Sequence, residues 1–582
     1  MMWRRIAAGG WLRLQLQTLS AFILIAAMAV FAFGQEPSWA RLIDSDKEPQ
    51  NWMSYGGNYG AHRFSALDQI NRENVGQLKP VWVFHTGELR GGLNATPIVV
   101  DGVMYLMGPL NRVFAINAAT GEKLWSYFYK LPQMSIPYQP GSRGLAVAYG
   151  RVYFGTLDNH VVALDAKTGQ EIWDVEVQDV RQCGCNITSA PLIVKDKVIV
   201  GNTGGENAHR GYLNAYDAKT GKHLWRFYTI PGPGEPGYET WGEKMWKYGG
   251  APTWLVGSYD PELNLLYWGV GNPSSDFYDE LRPGDNLYTN SIIALDPDTG
   301  KLKWHYQEVP HDMYDFDSAY ECVLIDYEKD GKKQKLLVHP NKGGYTWVLD
   351  RETGKYINAW PHVDIITWMK GVDKNGRPLD MQPVPKDKET FVCPGAIGGR
   401  NWDHSSYSPR TRFWYNIGWE ACNVIKPEKL EVKEGAGLFG GSIDIKPPKD
   451  KAPYGHIDAY DPLTGDRKWR YLTRYMNVAS LLSTGGDLVF SGDMLGEAFA
   501  LDARTGAKLW AFNTGASISG SPISYSVNGR QYIAVPSGLG SLVGGVSAIL
   551  WPESGKKMPE RASTLFVFAL PESKIKGSGD GK

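Results

Sequence analysis

One pattern of apolar and polar positions recurs along the chain. A short apolar run ends in Asp or Asn; two residues separate it from Thr-Gly, and a Trp follows after three more. It reads AINAATGEKLW to Trp125, ALDAKTGQEIW to Trp173, AYDAKTGKHLW to Trp225 and ALDPDTGKLKW to Trp304. It returns as AYDPLTGDRKW to Trp469 and ALDARTGAKLW to Trp510, and VLDRETGKYINAW around Asp350 is a degenerate copy. The Asp/Asn-x-x-Thr-Gly segment predicts a tight hairpin turn, with Gly at positive φ and the Asp side chain capping the local backbone. The flanking segments, such as VVALDA, RVYFGTL and KVIVGN, alternate as strands. The distance from one Thr-Gly to the next fits one four-stranded sheet, with longer insertions after Trp225 and Asp350. The expected fold is therefore all-β, a β-propeller whose sheets each dock a Trp against a neighbour. Seven turn motifs plus a sheet closed by both ends of the chain (VWVFHTG and TLFVFALP) predict eight blades. The repeat Trp residues are structural and carry no chemistry.

Composition agrees and narrows the function. Gly and Pro number 67 and 35, too many for a helical protein and too few for a collagenous one. With 61 Lys+Arg against 62 Asp+Glu there is no excess of base to hold a nucleic acid. Arg4, Arg5 and Arg13 precede the apolar run Ala21 to Phe33, which Gly34 and Gln35 end. That is the form of a secretory signal peptide over residues 1–34; the run is shorter than the roughly 20 residues of a spanning helix. The expectation is an exported, periplasmic protein without stable membrane insertion. Residues 35–573 then form one propeller domain, and the Gly/Ser/Lys-rich stretch 574–582 reads as a disordered tail.

A propeller alone states no function, so residues that the repeat does not require carry the argument. Asn202-Thr-Gly-Gly-Glu206 follows the strand KVIVG, Gly271-Asn272-Pro273 follows LLYWGVG, and His311-Asp-Met-Tyr-Asp315-Phe-Asp317 stands apart from both. Each places oxygen ligands at the end of a strand. Carboxylate and amide oxygens without a His/Cys set favour a hard cation. The five cysteines, Cys183, Cys185, Cys322, Cys393 and Cys422, form neither CxxC nor CxxCH, so no thioredoxin-like site, zinc ribbon or c-type haem is expected. An odd count leaves at least one Cys unpaired within the chain.

From about Trp52 to Pro571 the chain resembles the soluble pyrroloquinoline quinone (PQQ)-dependent alcohol dehydrogenases, the methanol and ethanol dehydrogenase group. The resemblance rests on NWMSYGGNYGAHRFSALDQIN, TGGENAHRGYLNAYDAKTG, WGVGNP, RPGDN, PHDMYDFD and VLDRETG. It implies an eight-bladed propeller with PQQ and a metal ion at its axis. It implies that Glu206 and Asn272 ligate the metal and that Asp315 is the catalytic carboxylate. Trp254 matches the Trp that stacks on one face of PQQ. Arg143, Thr188, Thr203, Gly204 and Gly205 match positions around the cofactor's carboxylates and carbonyls. Lys342 matches a cation near the reactive quinone oxygens, and Asn401 and Trp402 match a further contacting pair. A flat trianion needs such cations, donors and an aromatic floor. Cys393 and Cys422 fit the family's disulfide in this region.

Departures from the family pattern bear on substrate and metal. Relatives carry adjacent cysteines just before the Arg143 position, where this chain reads IPYQPGSRG. Cys183-Gly-Cys185 falls shortly before Thr188 instead, and these two are expected to pair as a small-ring disulfide, on which the resemblance is silent. Asn94, counted among the cofactor-binding positions, replaces a glutamate. Val478 and Leu542 replace Trp residues around the substrate cavity, which argues against methanol. Asp317 adds a carboxylate two residues from Asp315, so both can face one ion. That resembles the lanthanide-dependent subgroup; calcium is the alternative ion. The implied reaction is hydride transfer from a small alcohol to PQQ, with the metal as Lewis acid and Asp315 as general base. Electrons then pass to a separate carrier, a periplasmic cytochrome c. Homodimer formation is left open by the sequence. The competing readings are a PQQ sugar or polyol dehydrogenase and a non-catalytic propeller scaffold.

Overall fold

The computed structural model describes residues 37–133, 141–540 and 542–572, except the side chains of Leu542 and Val543. The expected signal segment 1–34 and tail 574–582 lie outside the described residues, as does the Leu542 side chain. Among the described residues the strands form eight antiparallel sheets of four strands, one of them extended to five. The chain is a β-propeller. Seven sheets are continuous in sequence or nearly so, from Ile98–Phe128 to Leu482–Asn513. The eighth pairs Lys79–His85 with Thr564–Ala569, Trp82 standing opposite Val567, so the first and last strands close the ring. The extension comes from Phe64–Ser65, which adds in parallel to Leu482–Thr484.

The repeat acts at the joints between sheets. In each turn the Asp or Asn accepts backbone N–H bonds, as Asp165 Oδ1 does from Lys167 (3.0 Å) and Thr168 (2.8 Å) and Asn117 Oδ1 from Ala119 (3.0 Å). The glycine has two reasons to be there. Gly300 has φ +69°, and a Cβ on it would stand 2.6 Å from the Trp225 ring of the preceding sheet. Gly121, Gly169, Gly221, Gly354, Gly465 and Gly506 lie in the same way on Trp82, Trp125, Trp173, Trp304, Trp360 and Trp469. Four of the indoles also donate across the joint, Trp125 to Ala166 O at 3.0 Å and Trp510 to Leu78 O at 3.3 Å, which closes the circle. One repeat unit thus buries its indole only when the next unit is present, so the ring is cooperative.

Two stretches after Asp350, one before and one after the blade strands Ser406–Ser408 and Phe413–Trp419, form a three-stranded sheet of Thr390–Val392, Cys422–Pro427 and Gly441–Lys446. A disulfide joins Cys393 to Cys422 across it. Cys183 and Cys185 are joined as well, and Cys322 is a buried free thiol. No helix among the described residues is long and apolar enough to cross a membrane.

Candidate active site

Two loop positions recur in every blade at one end of the sheets: the loop entering the first strand and the loop leaving the second. Antiparallel pairing puts them side by side. Entering loops carry Asn94 before Ile98–Val100, Arg143 before Ala146–Ala148, Thr188 before Leu192–Val194 and Trp254 before Ser258–Asp260. They also carry Asp315 and Asp317 before Val323–Lys329, and Asn401 and Trp402 before Ser406–Ser408. Leaving loops carry Thr203 to Glu206 after Lys197–Gly201, Asn272 after Leu265–Val270 and Lys342 after Lys332–Pro340. All of these except Asn272 line one cavity of about 330 Å³. Asn272 lies behind its wall, fully buried.

Each side chain is set by local structure. Asp312 accepts from the backbone N–H of Tyr314 and of Phe316, both at 2.8 Å, and so bends the loop that turns Asp315 to φ +60°. Phe316 anchors that loop against Trp368 at 5.2 Å between ring centres. Glycine permits the close approaches: a Cβ on Gly205 would meet Asn272 Oδ1 at 2.2 Å, and one on Gly271 would meet Asp317 Oδ1 at 2.3 Å. Arg143 sits between two indoles, its guanidinium 4.8 Å from the Trp254 ring and 5.2 Å from that of Trp402, and donates to Thr188 Oγ1 at 2.5 Å. The Cys183–Cys185 pair lies beneath the Thr203–Glu206 loop, a Cβ on Gly204 standing 3.2 Å from Cys185 Cβ. Val478 is buried in the apolar cluster that also holds Trp419 and Trp551 and is not among the residues that line the cavity.

The electrostatics concentrate at one end. Lys342 Nζ donates to Asp315 Oδ1 at 3.1 Å and pairs with Asp317 Oδ2 at 2.9 Å. Burial works against its charge, but Asp315 and Asp317 outweigh it and hold the ammonium's pKa well above its usual value. Burial lifts the Asp315 carboxyl above the carboxylate range; Lys342 opposes that and Asp317 and Glu206 reinforce it. Asp317 Oδ1 also accepts from Trp254 Nε1 at 3.1 Å and from Asn272 N at 3.3 Å. The carboxylates that converge are those of Glu206, Asp315 and Asp276, one oxygen of each lying within 4.8 Å of the other two. Asp276 was not among the residues singled out in the sequence. Its signal is positional, four residues after Asn272 in the same loop. The apolar lining residues Ala396, Ile397, Phe439 and Val546 were equally unforeseen, since nothing local marks them.

The profile of the PQQ-binding glucose/ethanol/alcohol dehydrogenase β-propeller domain matches residues 52–364 and 471–533. The quinoprotein alcohol dehydrogenase PedH of Pseudomonas putida is 38% identical over 584 residues, covering 95% of this chain and 96% of that protein. The chain belongs to the PQQ-dependent alcohol dehydrogenase family. Methanol dehydrogenase [cytochrome c] subunit 1 of Methylorubrum extorquens is 36% identical over 550 residues, covering 87% of this chain and 86% of that one. A europium-containing methanol dehydrogenase superposes with a TM-score of 0.86 at 34% identity, over 91% of this chain and all of its own.

For a PQQ-dependent alcohol dehydrogenase the residues present fit both guests. Buried Asp276 Oδ2 and Asn272 Oδ1 have no hydrogen-bond partner, as suits oxygens reserved for a cation, and Arg143 Nε is likewise unpartnered. The indoles of Trp254 and Trp402 lie beside Arg143 and line the cavity, and aromatic walls suit a flat ring.

Proposed function

We propose that the protein is a periplasmic, metal-assisted quinoprotein that oxidises an alcohol to an aldehyde and passes the electrons to a cytochrome c. The observation that carries this is one cavity lined both by an ionic cluster, Glu206, Asp315, Asp317 and Lys342, and by a cation between aromatic rings, Arg143 with Trp254 and Trp402, the two groups meeting where Trp254 Nε1 donates to Asp317 Oδ1. When bound, PQQ supplies the two-electron acceptor and the metal ion a Lewis acid. The chain does the rest. Arg143, Thr188 and Thr203 bind anionic and carbonyl oxygens, with Asn94, Gly204, Gly205 and Asn401 completing the cradle. Glu206, Asn272, Asp315 and Asp317 would hold the ion. Asp315 takes the hydroxyl proton of the alcohol, and Lys342, donating to Asp315 Oδ1, holds that carboxylate in place. Ala396, Ile397 and Val546 shield the alkyl group from water. The sequence has no CxxCH, so the electrons leave to a separate carrier; the Methylorubrum extorquens relative, cytochrome-c-linked by its name, supports that carrier.

The ion proposed is a lanthanide ahead of calcium, because clustered carboxylates gain in proportion to ionic charge. The europium in the similar methanol dehydrogenase supports this. The test is dye-linked alcohol oxidation after titrating La³⁺ or Ca²⁺ into metal-free protein with PQQ. Turnover should require PQQ and be higher with La³⁺. Asp317→Ala should move the preference toward Ca²⁺, and Asp315→Asn should lower kcat by at least ~10²–10⁴-fold with either ion. Activity that needs flavin or a nicotinamide instead of PQQ would refute the reading. Equal use of both ions, unchanged in Asp317→Ala, would refute the metal assignment.

A further inference from the structure

The loop that leaves Leu265–Val270 carries Asn272 and then Asp276. Asp276 is 1% exposed and Asn272 fully buried. Asn272 Nδ2 donates to Asp276 Oδ1 at 3.1 Å. That single bond leaves Asp276 Oδ2 and Asn272 Oδ1 buried with no partner. An unsatisfied buried oxygen is costly, a carboxylate oxygen most of all, so two side by side in one loop point to a ligand.

The spacing says which kind. One carboxylate oxygen from each of Glu206, Asp276 and Asp315 lies within 4.8 Å of the other two. Two oxygens bound to one large hard cation at ~2.3–2.6 Å stand at most ~5 Å apart, so one ion can touch all three. Glu206 and Asp315 line the open cavity, whereas Asp276 and Asn272 do not. Asp276 therefore closes the oxygen cluster from the protein side.

We propose that Asp276 supplies a further carboxylate oxygen to the metal ion, on the side away from the open cavity, and biases the site toward a trivalent cation. The inference rests on the metal site of the proposed function. Removing one anionic ligand weakens a trivalent ion more than a divalent one, since the Coulomb attraction scales with ionic charge. The loss should be at least the ~10–100-fold that an outer-shell partner already costs.

The experiment titrates Tb³⁺ into the metal-free full chain with PQQ and reads tryptophan-sensitised luminescence. Lifetimes in H₂O and D₂O count the waters on the ion, and Ca²⁺ affinity is read by competition. Asp276→Asn should weaken Tb³⁺ by about tenfold or more and Ca²⁺ by a smaller factor. Asp276→Ala should add about one bound water, as an open ligand position fills from solvent. Unchanged affinity and hydration in both variants, while Glu206→Gln loses Tb³⁺, overturns the role of Asp276 and leaves the metal site standing. If the wild type takes up neither ion, the metal site fails and this inference with it. Asp276→Asn keeps the shape of the side chain and removes one of several like charges, so the metal-free variant should melt no lower than wild type. Should it not fold, Asp276→Ser is read in the same two ways.

Discussion

Glu321 and Arg400 form an ion pair with both side chains at 0% exposure, and it braces the segment that carries Asn401 and Trp402. Glu321 accepts from Arg400 Nη1 at 2.9 Å and Nη2 at 3.2 Å, and from Ser405 N at 2.9 Å. Burial by itself would raise the Glu321 pKa. Arg400, then His404 and the Ser405 N–H, outweigh burial and hold it at about 2 instead of 4.5. That difference corresponds to ~3 kcal/mol of stability at neutral pH, in line with the ~3–5 kcal/mol lost when one partner of a buried pair is removed. Glu321→Gln should therefore lower stability by ~3 kcal/mol, which is only about 3 °C in a chain of this size because the unfolding entropy scales with length. Because the folded-state pKa is depressed, the stabilisation is full above about 4.5 and is lost as pH falls toward about 2. The gap between wild type and variant should shrink by ~2 kcal/mol at pH 3. Paired melts at pH 7 and pH 3 measure this, with PQQ retention as the readout of the Asn401–Trp402 segment. Glu321→Gln/Arg400→Met should recover part of the loss, because the uncompensated charge is gone. Equal melting temperatures at pH 7, or a gap unchanged at pH 3, would show that the pair does not carry this energy.

Two other expectations test the joints and the cofactor cradle. Gly300→Ala should destabilise by ~1–3 kcal/mol from overpacking on Trp225 beyond its backbone cost, whereas Gly331→Ala has a similar φ of +74° with nothing within 4 Å and should show the backbone cost alone; equal drops in melting temperature would mean that the indole contact contributes nothing. Arg143→Met should weaken PQQ binding by ~10–150-fold, the value of a charge-assisted hydrogen bond of ~1.5–3 kcal/mol, with Arg143→Lys recovering part; an unchanged titration of quinone absorbance would remove Arg143 from the cradle.

The sequence by itself determined the strands, the turns, their tryptophan joints and the closing of the ring by Lys79–His85 and Thr564–Ala569. These depend on short-range rules: alternation within a strand, an Asp capping its own turn, a Gly four residues further on. Asp165, Thr168 and Gly169 interact within one turn, so their spacing is a direct record of their contacts. The family signature also marked Glu206, Asp315 and Lys342, because each sits in a distinctive local motif. What the chain order does not encode is which of several acids share one point in space. Asp315 and Asp317 are two residues apart, and from spacing alone they look equivalent. In the folded chain Lys342 reaches both, but Asp317 is further held by Trp254 and the Asn272 N–H, while Asp315 meets Glu206 and Asp276 from two other blades. Only the tertiary structure decided that division, because the site is assembled at the axis from loops of different blades. There each charge is set by neighbours more than a hundred positions apart in the most distant pair, and by how completely the ring excludes water from them.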